Sequence, residues 1–243
     1  MSREDEERTL YVVYAVAGAV LLLLVAFIIK MAASGSGPGG KRDVILLVGP
    51  CGGGKTALFH RLRDGPSPTL ETVTSMKETL ESFPLFDEDS ANVSVLDFPG
   101  HERLRSQVSQ FYPIAKKLVF VVDSTTVSDP AQVRKAAEFL FDVFTHPKLN
   151  DTAIPVLIAC SKSDLTTAAA PGRIQSLLEA ELTQLKSTRA SLEAHDDDES
   201  IPLGRDNVPF AFDVDAPCEV VFETYSIHSA EAIAPLLDFI LQE

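Results

Sequence analysis

One octapeptide constrains this chain more than any other stretch. Residues 49–56 read GPCGGGKT, a complete GxxxxGK[ST] pattern. It follows an apolar run at 43–48 (DVILLV) and precedes a helix-like run at 57–63 (ALFHRLR). A glycine-rich turn between strand and helix points its backbone N–H groups inward, around phosphate oxygens. The helix start adds the positive end of a dipole. Gly49, Pro50, Cys51, Gly52, Gly53, Gly54, Lys55, Thr56 and Ala57 are therefore the expected phosphate cradle. Lys55 would reach the terminal phosphates of a nucleotide, and the Thr56 hydroxyl would hold Mg²⁺. The pattern specifies a nucleoside triphosphate and leaves the base open.

The remainder alternates between two periodicities. Runs at 43–48, 118–122 (LVFVV), 154–160 (IPVLIAC) and 219–225 (EVVFETY) are short, apolar and rich in Val and Ile. They read as buried parallel strands. Residues 93–96 and 80–86 read as outer strands. Between them lie helical stripes. Val133, Ala136, Ala137, Leu140, Phe141 and Phe144 form one within 131–145. Ile174, Leu177, Leu178, Leu182 and Leu185 form a second, and Ile233, Leu236, Leu237 and Ile240 a third. Alternating strand and helix implies a doubly wound, mostly parallel α/β sheet. Residues 187–217 break the rhythm with five acids between Glu193 and Glu199 and with Pro202, Pro209 and Pro217. This acidic insert reads as a solvated surface loop, with partner contact as the alternative.

Three further patterns follow the first in order. Residues 97–100 read DFPG, at the end of the 93–96 strand, with His101 next. Asp97 can support Mg²⁺ and Gly100 can bring its N–H close to a terminal phosphate. His101 would sit near an attacking water. Lys55, Gly100 and His101 are thus the candidate catalytic groups. Residues 161–164 read SKSD and resemble the NKxD element that selects guanine. Asp164 can accept from the two N–H donors on guanine's Watson–Crick edge, a pair adenine lacks. Lys162 would lay its stem on the base. Ser161 stands where an Asn is usual, so one carboxamide is missing. After the last strand, 225–228 read YSIH. Ser226 and the backbone at Ile227 are carried over from the SAK-type element expected there. A threonine that closes over Mg²⁺ must precede Asp97. Thr74 is the choice, with Thr72 as the alternative.

The N-terminus adds a different constraint. Residues 10–29 contain no charge, and twenty helical residues reach about 30 Å, the thickness of a bilayer core. Tyr11 and Tyr14 sit at one end and Lys30 closes the other. The run is too long for the core of a cleaved signal peptide and has no polar face for a buried helix. The expected organisation is a short tail at 1–9, a transmembrane helix at 10–29, a Gly/Ser linker at 30–41 and one domain at 42–243. Lys30, Lys41 and Arg42 after the span slightly outweigh Arg3 and Arg8 before it, which favours a cytosolic domain. Lys plus Arg is 21 against Asp plus Glu 35, a net charge of -14, which argues against direct nucleic-acid binding. Cys51, Cys160 and Cys218 form no zinc-ligand spacing. Two of them lie in or beside the nucleotide motifs, which suits a reducing compartment.

Taken together, the span, the linker, GPCGGGKTALFHRL, TVTSM, DFPGHERLR, FVVDS and IACSKSD resemble the Ras-like small GTPases. The likeness is nearest the Arf/Sar branch and, within it, the beta-subunit family of the signal recognition particle receptor. That resemblance implies a P-loop small GTPase fold binding GTP/GDP and Mg²⁺, with slow intrinsic hydrolysis because no arginine finger is evident in cis. It implies a single-pass protein of the endoplasmic reticulum membrane. Its GTP form would bind the receptor alpha subunit through segments around Thr74 and 100–110, with ribosome or translocon contact a further implication. A Sar/Arf-like trafficking GTPase and a GTP-holding scaffold without turnover remain as alternatives. The first is disfavoured because residues 10–29 are apolar all round rather than amphipathic.

Overall fold

The computed structural model describes residues 42–66, 72–73, 75–85, 91–192 and 201–242. The apolar run at 10–29, the linker and Thr74 lie outside these. Among the described residues no helix is long and apolar enough to cross a membrane.

Among the described residues six strands form one sheet: β1 (Val44–Val48), β2 (Thr79–Pro84), β3 (Asn92–Asp97), β4 (Ala115–Asp123), β5 (Val156–Ser161) and β6 (Val220–Thr224), in the order β2-β3-β1-β4-β5-β6. All neighbours are parallel except β2, which runs antiparallel to β3. The helices are α1 (Lys55–Asp64), α2 (Pro130–Phe144), α3 (Pro147–Thr152), α4 (Pro171–Leu192), α5 (Phe212–Asp215) and α6 (Ala230–Leu241), with a 3-10 segment at Glu102–Ile114.

The central strands are apolar on both sides because both sides are covered. Side chains alternate across a strand. Val44, Leu46 and Val48 of β1 join Leu118, Phe120, Val122, Val156 and Ile158 beneath α2 and α4. Ile45 and Leu47 join Val119, Val121 and Leu157 beneath α1 and α6. This is the doubly wound arrangement. Its parallel strands run the same way and end at Val48, Asp97, Asp123, Ser161 and Thr224, so the loops bearing the four motifs open at one end of the sheet.

The structure corrects three readings. Residues 93–96 do not form an outer strand, because β3 lies between β2 and β1. The second edge is β6, which is half-buried along its length. The acidic insert is not simply a solvated loop. Helix α4 runs to Leu192, and Leu203, Phe210 and Phe212 are buried in the core beneath it. Phe212 packs edge-on against Phe144, Phe210 and Phe222. Main-chain N–H groups of Phe210 and Phe212 donate to Thr183 Oγ1 and Glu179 Oε1 on α4, at 2.9 and 3.0 Å. At the opposite end of the strands, buried Lys117 of β4 donates to the carbonyls of Phe239 and, at 2.6 Å, of Gln242. It thereby closes the C-terminal end of α6, where unpaired carbonyls favour a cation.

Candidate nucleotide site

The glycine-rich loop leaves β1 at Val48 and enters α1 at Lys55. Gly49 has φ 132, and a Cβ there would lie 2.4 Å from the Val121 carbonyl oxygen. No side chain fits that position. Gly100 is closed in the same way: its Cβ would meet Lys55 Nζ at 2.5 Å, and both Cys51 N and Gly49 O at 2.7 Å. The DFPG turn thus lies directly on the loop, as close backbone approach to a shared ligand requires.

At the centre of this contact are Lys55, Thr56 and Asp97. Lys55 is buried and donates to the Pro50 carbonyl at 2.8 Å. Burial lowers its pKa, opposed by Asp97 and then by Cys51. The Thr56 hydroxyl donates to Asp97 Oδ2 at 2.6 Å. Burial pushes Asp97 above the usual carboxylate range, opposed by the Thr56 hydrogen bond and by Lys55. Its other oxygen, Oδ1, is buried with no partner among the described residues. A hydroxyl beside an orphaned carboxylate oxygen is the hard oxygen pair that Mg²⁺ takes, so the residues fit that ion.

A second hydroxyl at this point belongs to Ser75, 3.0 Å from Thr56 Oγ1. The sequence reading missed it, one position past its choice. Thr74 itself lies outside the described residues, and Thr72 lines the same cavity.

The SKSD turn follows β5. Ser161 is buried and its Oγ donates to the Gly53 carbonyl at 2.7 Å, tying this turn to the phosphate loop. Lys162 adopts φ 58 and pairs with Asp123 Oδ2 at 2.5 Å. Asp123 also accepts from Thr125 N and Oγ1, at 2.9 and 2.7 Å. Burial raises its pKa, but the Lys162 and Thr125 hydrogen bonds outweigh this and hold it below the usual range. Asp123 was not singled out from sequence, although its place at a strand end within FVVDS marks it. Asp164 stands exposed at the mouth.

These pieces share one cavity of about 420 Å³. It runs from Lys55, Thr56 and Gly100 to Lys162 and Asp164, and Cys51, Gly52, Gly54 and Ala57 also line it. Ile227 and His228 line its far wall, and Arg61 donates to the Ile227 carbonyl at 2.9 Å. Ser226 is buried behind them and accepts from the His228 N–H at 3.2 Å. Pro50 and Gly53 face a neighbouring cavity of about 260 Å³. His101 is not among the lining residues; its Nδ1 accepts from Arg103 N at 3.2 Å and caps the 3-10 segment. Tyr225, read from sequence as the end of the last strand and the start of YSIH but given no role, lines the cavity beside Ser161.

With this geometry in hand, the likeness to known proteins is specific. Residues 40–215 match the family model described as "Signal recognition particle receptor beta subunit". The human beta subunit is 32% identical over 214 residues, covering 86% of this chain and 75% of that protein. The Saccharomyces cerevisiae beta subunit is 35% identical over 153 residues, 60% of this chain and 58% of that protein. The match to the rat protein spans 62% of its length. Among solved structures, "The Structure of the Mammalian SRP Receptor" matches with TM-score 0.66 and 31% identity, over 81% of this chain and 97% of that one. The Chaetomium thermophilum chain from an SRb-GTP/SRX complex matches with TM-score 0.65 and 25% identity, over 82% and 97%. Matched over most of its length, with its motifs in one cavity, the chain belongs to the signal recognition particle receptor beta subunit family.

Proposed function

We propose that this chain is a membrane-anchored switch that binds GTP or GDP with Mg²⁺. In its GTP state it holds the receptor alpha subunit at the endoplasmic reticulum membrane. The observation that carries the reading is the single cavity joining Lys55 and Thr56, the latter bonded to Asp97 behind it, to Asp164. A polyanion is met at one end and a guanine edge at the other. Related chains support the ligand and the partner: one solved neighbour is an SRb-GTP/SRX complex.

Thr56 and Asp97 would hold Mg²⁺, which when bound neutralises phosphate charge. Lys55 and the amides of 52–55 hold the phosphates; Gly100 brings the DFPG turn against them. No arginine lines the cavity among the described residues, and the His101 ring is engaged by Arg103 N. Both support slow intrinsic hydrolysis, since phosphoryl transfer depends on supplied positive charge and a positioned water.

The partner surface is the β2 edge. Val73 and Met76 on either side of Ser75 and Leu80 on β2 are 87%, 70% and 53% exposed, a hydrophobic strip leading into a strand whose outer edge is unpaired among the described residues. A segment that contacts Thr56 on one side and presents this strip on the other can report the nucleotide state. The test is capture of the alpha subunit by the full chain loaded with GTP or with GDP. Stoichiometric binding with GTP and weak binding with GDP is expected. Equal binding with both would leave a scaffold rather than a switch. The anchor at 10–29 is checked by alkaline carbonate extraction, where the intact chain stays in the membrane pellet. Its release into the supernatant would contradict the anchor.

A further inference from the structure

The SKSD turn lacks the carboxamide usual at its first position, and the consequence can be followed atom by atom. A carboxamide carries two N–H donors and an acceptor, so it can hold the phosphate loop and still take part in a second hydrogen bond as donor. Serine carries one proton. Ser161 uses it on the Gly53 carbonyl at 2.7 Å. The tether to the phosphate loop is kept and the second donor is lost.

A donor lies next to it. Tyr225, just after β6, is 1% exposed, and its hydroxyl is buried without a hydrogen-bond partner by geometry among the described residues. A Cβ placed on Gly54 would lie 3.6 Å from Tyr225 Oη and 3.8 Å from Ser161 Oγ, so the two hydroxyls converge on the start of α1. Both residues line the nucleotide cavity. Burial pushes the phenol far above its ordinary range and the hydrogen-bonding interaction with Ser161 opposes this, so it stays protonated. Tyr225 is a donor with no acceptor in good hydrogen-bond geometry, and Ser161 is the neighbouring hydroxyl close enough to act on it. Ser161 has lone pairs and no incoming donor. An orphaned buried hydroxyl costs about 1–3 kcal/mol, so its retention needs a reason.

We propose that Tyr225 and Ser161 divide the work of the missing carboxamide. Tyr225 is a positioning residue whose hydroxyl donates to Ser161 Oγ when a base seats against that wall. The run Tyr225 Oη to Ser161 Oγ to Gly53 carbonyl then ties the β6 end, the base turn and the phosphate loop into one frame around the nucleotide. This rests on the guanine-nucleotide reading above and says how this chain keeps its affinity without the amide.

The experiment measures GDP release from the full chain in detergent for wild type, Y225F, S161A and the double variant, with nucleotide-free melting temperatures alongside. Y225F should release GDP about tenfold faster, which is about 1.4 kcal/mol. S161A should be at least as fast, and the double variant no faster than S161A, because the phenol acts through the serine. The nucleotide-free melting temperature of Y225F should stay level or rise, since the change removes an unpaired buried hydroxyl. A purely structural tyrosine would lower it. Wild-type release rates in Y225F, factors that multiply in the double variant, or a matching fall in the nucleotide-free melting temperature would each overturn the inference. A wild-type chain that takes up no guanine nucleotide would overturn the functional reading and this inference with it.

Discussion

Gly100→Ala tests the contact on which the site is built. The added methyl carbon would sit 2.5 Å from Lys55 Nζ and 2.7 Å from Cys51 N and from Gly49 O. A lysine amine can swing away, but the other two atoms are backbone of the phosphate loop, itself pinned where Gly49 abuts the Val121 carbonyl. Ordinary carbon contacts need roughly 3.5 Å, so the DFPG turn must retreat by several tenths of an ångström. Overpacking of this kind costs about 1–3 kcal/mol. For a domain of this size each kcal/mol lowers the melting temperature by about 2–4 °C. Affinity should fall unevenly. The retreat opens the end of the cavity beside Lys55, so GTP should lose about tenfold or more while GDP loses less. Titration with fluorescent GTP and GDP analogues, with thermal unfolding in parallel, reads both effects. A variant that melts like wild type and binds both nucleotides unchanged would refute the close-approach argument.

Three other outcomes follow from single features. Phe212→Ala removes a buried ring that touches three others and should cost about 3–5 kcal/mol in denaturant unfolding; a loss under about 1 kcal/mol would mean the segment is not core. The Arg205 guanidinium beside Asp215 holds its carboxyl at about 2, below the ordinary 3.8. A lowered folded value means this stabilisation is present above about pH 4 and is lost as pH falls toward 2. The melting-temperature gap between wild type and Asp215→Asn should therefore narrow over that window, and a constant gap would contradict it. Asp164→Asn should shift preference from guanine toward xanthine nucleotides; unchanged GTP affinity with no gain for xanthine would move base recognition elsewhere.

What could be read before folding was what is local in the chain. The phosphate loop is eight consecutive residues, and its strand and helix flank it directly. Residues 118–122 of β4 and 156–160 of β5 announce themselves because burial on both faces leaves no polar position within those runs. β3 was harder: only Val95 to Asp97 are fully buried, so the strand resembles an edge although β2 covers it. The residues that complete the site act across long separations. Ser75 meets Thr56, Asp123 meets Lys162, and Tyr225 meets Ser161 and Gly54, none of which has a spacing to signal it. Leu203, Phe210 and Phe212 stand singly among prolines and acids, without a period that marks a buried face. The 3-10 segment, with Pro113 inside it, does carry apolar residues at helical spacing, Leu104, Val108, Phe111 and Tyr112, which the reading of the sequence did not use.

The central claim is that one cavity holds a guanosine nucleotide by its phosphates and its base. Equilibrium titration of the full chain with labelled guanosine and adenosine nucleotides, with and without Mg²⁺, tests it most directly. Saturable one-to-one uptake of the guanosine form, strengthened by Mg²⁺ and not displaced by excess ATP, is the expected result. Uptake of neither form, or of both alike, would contradict it.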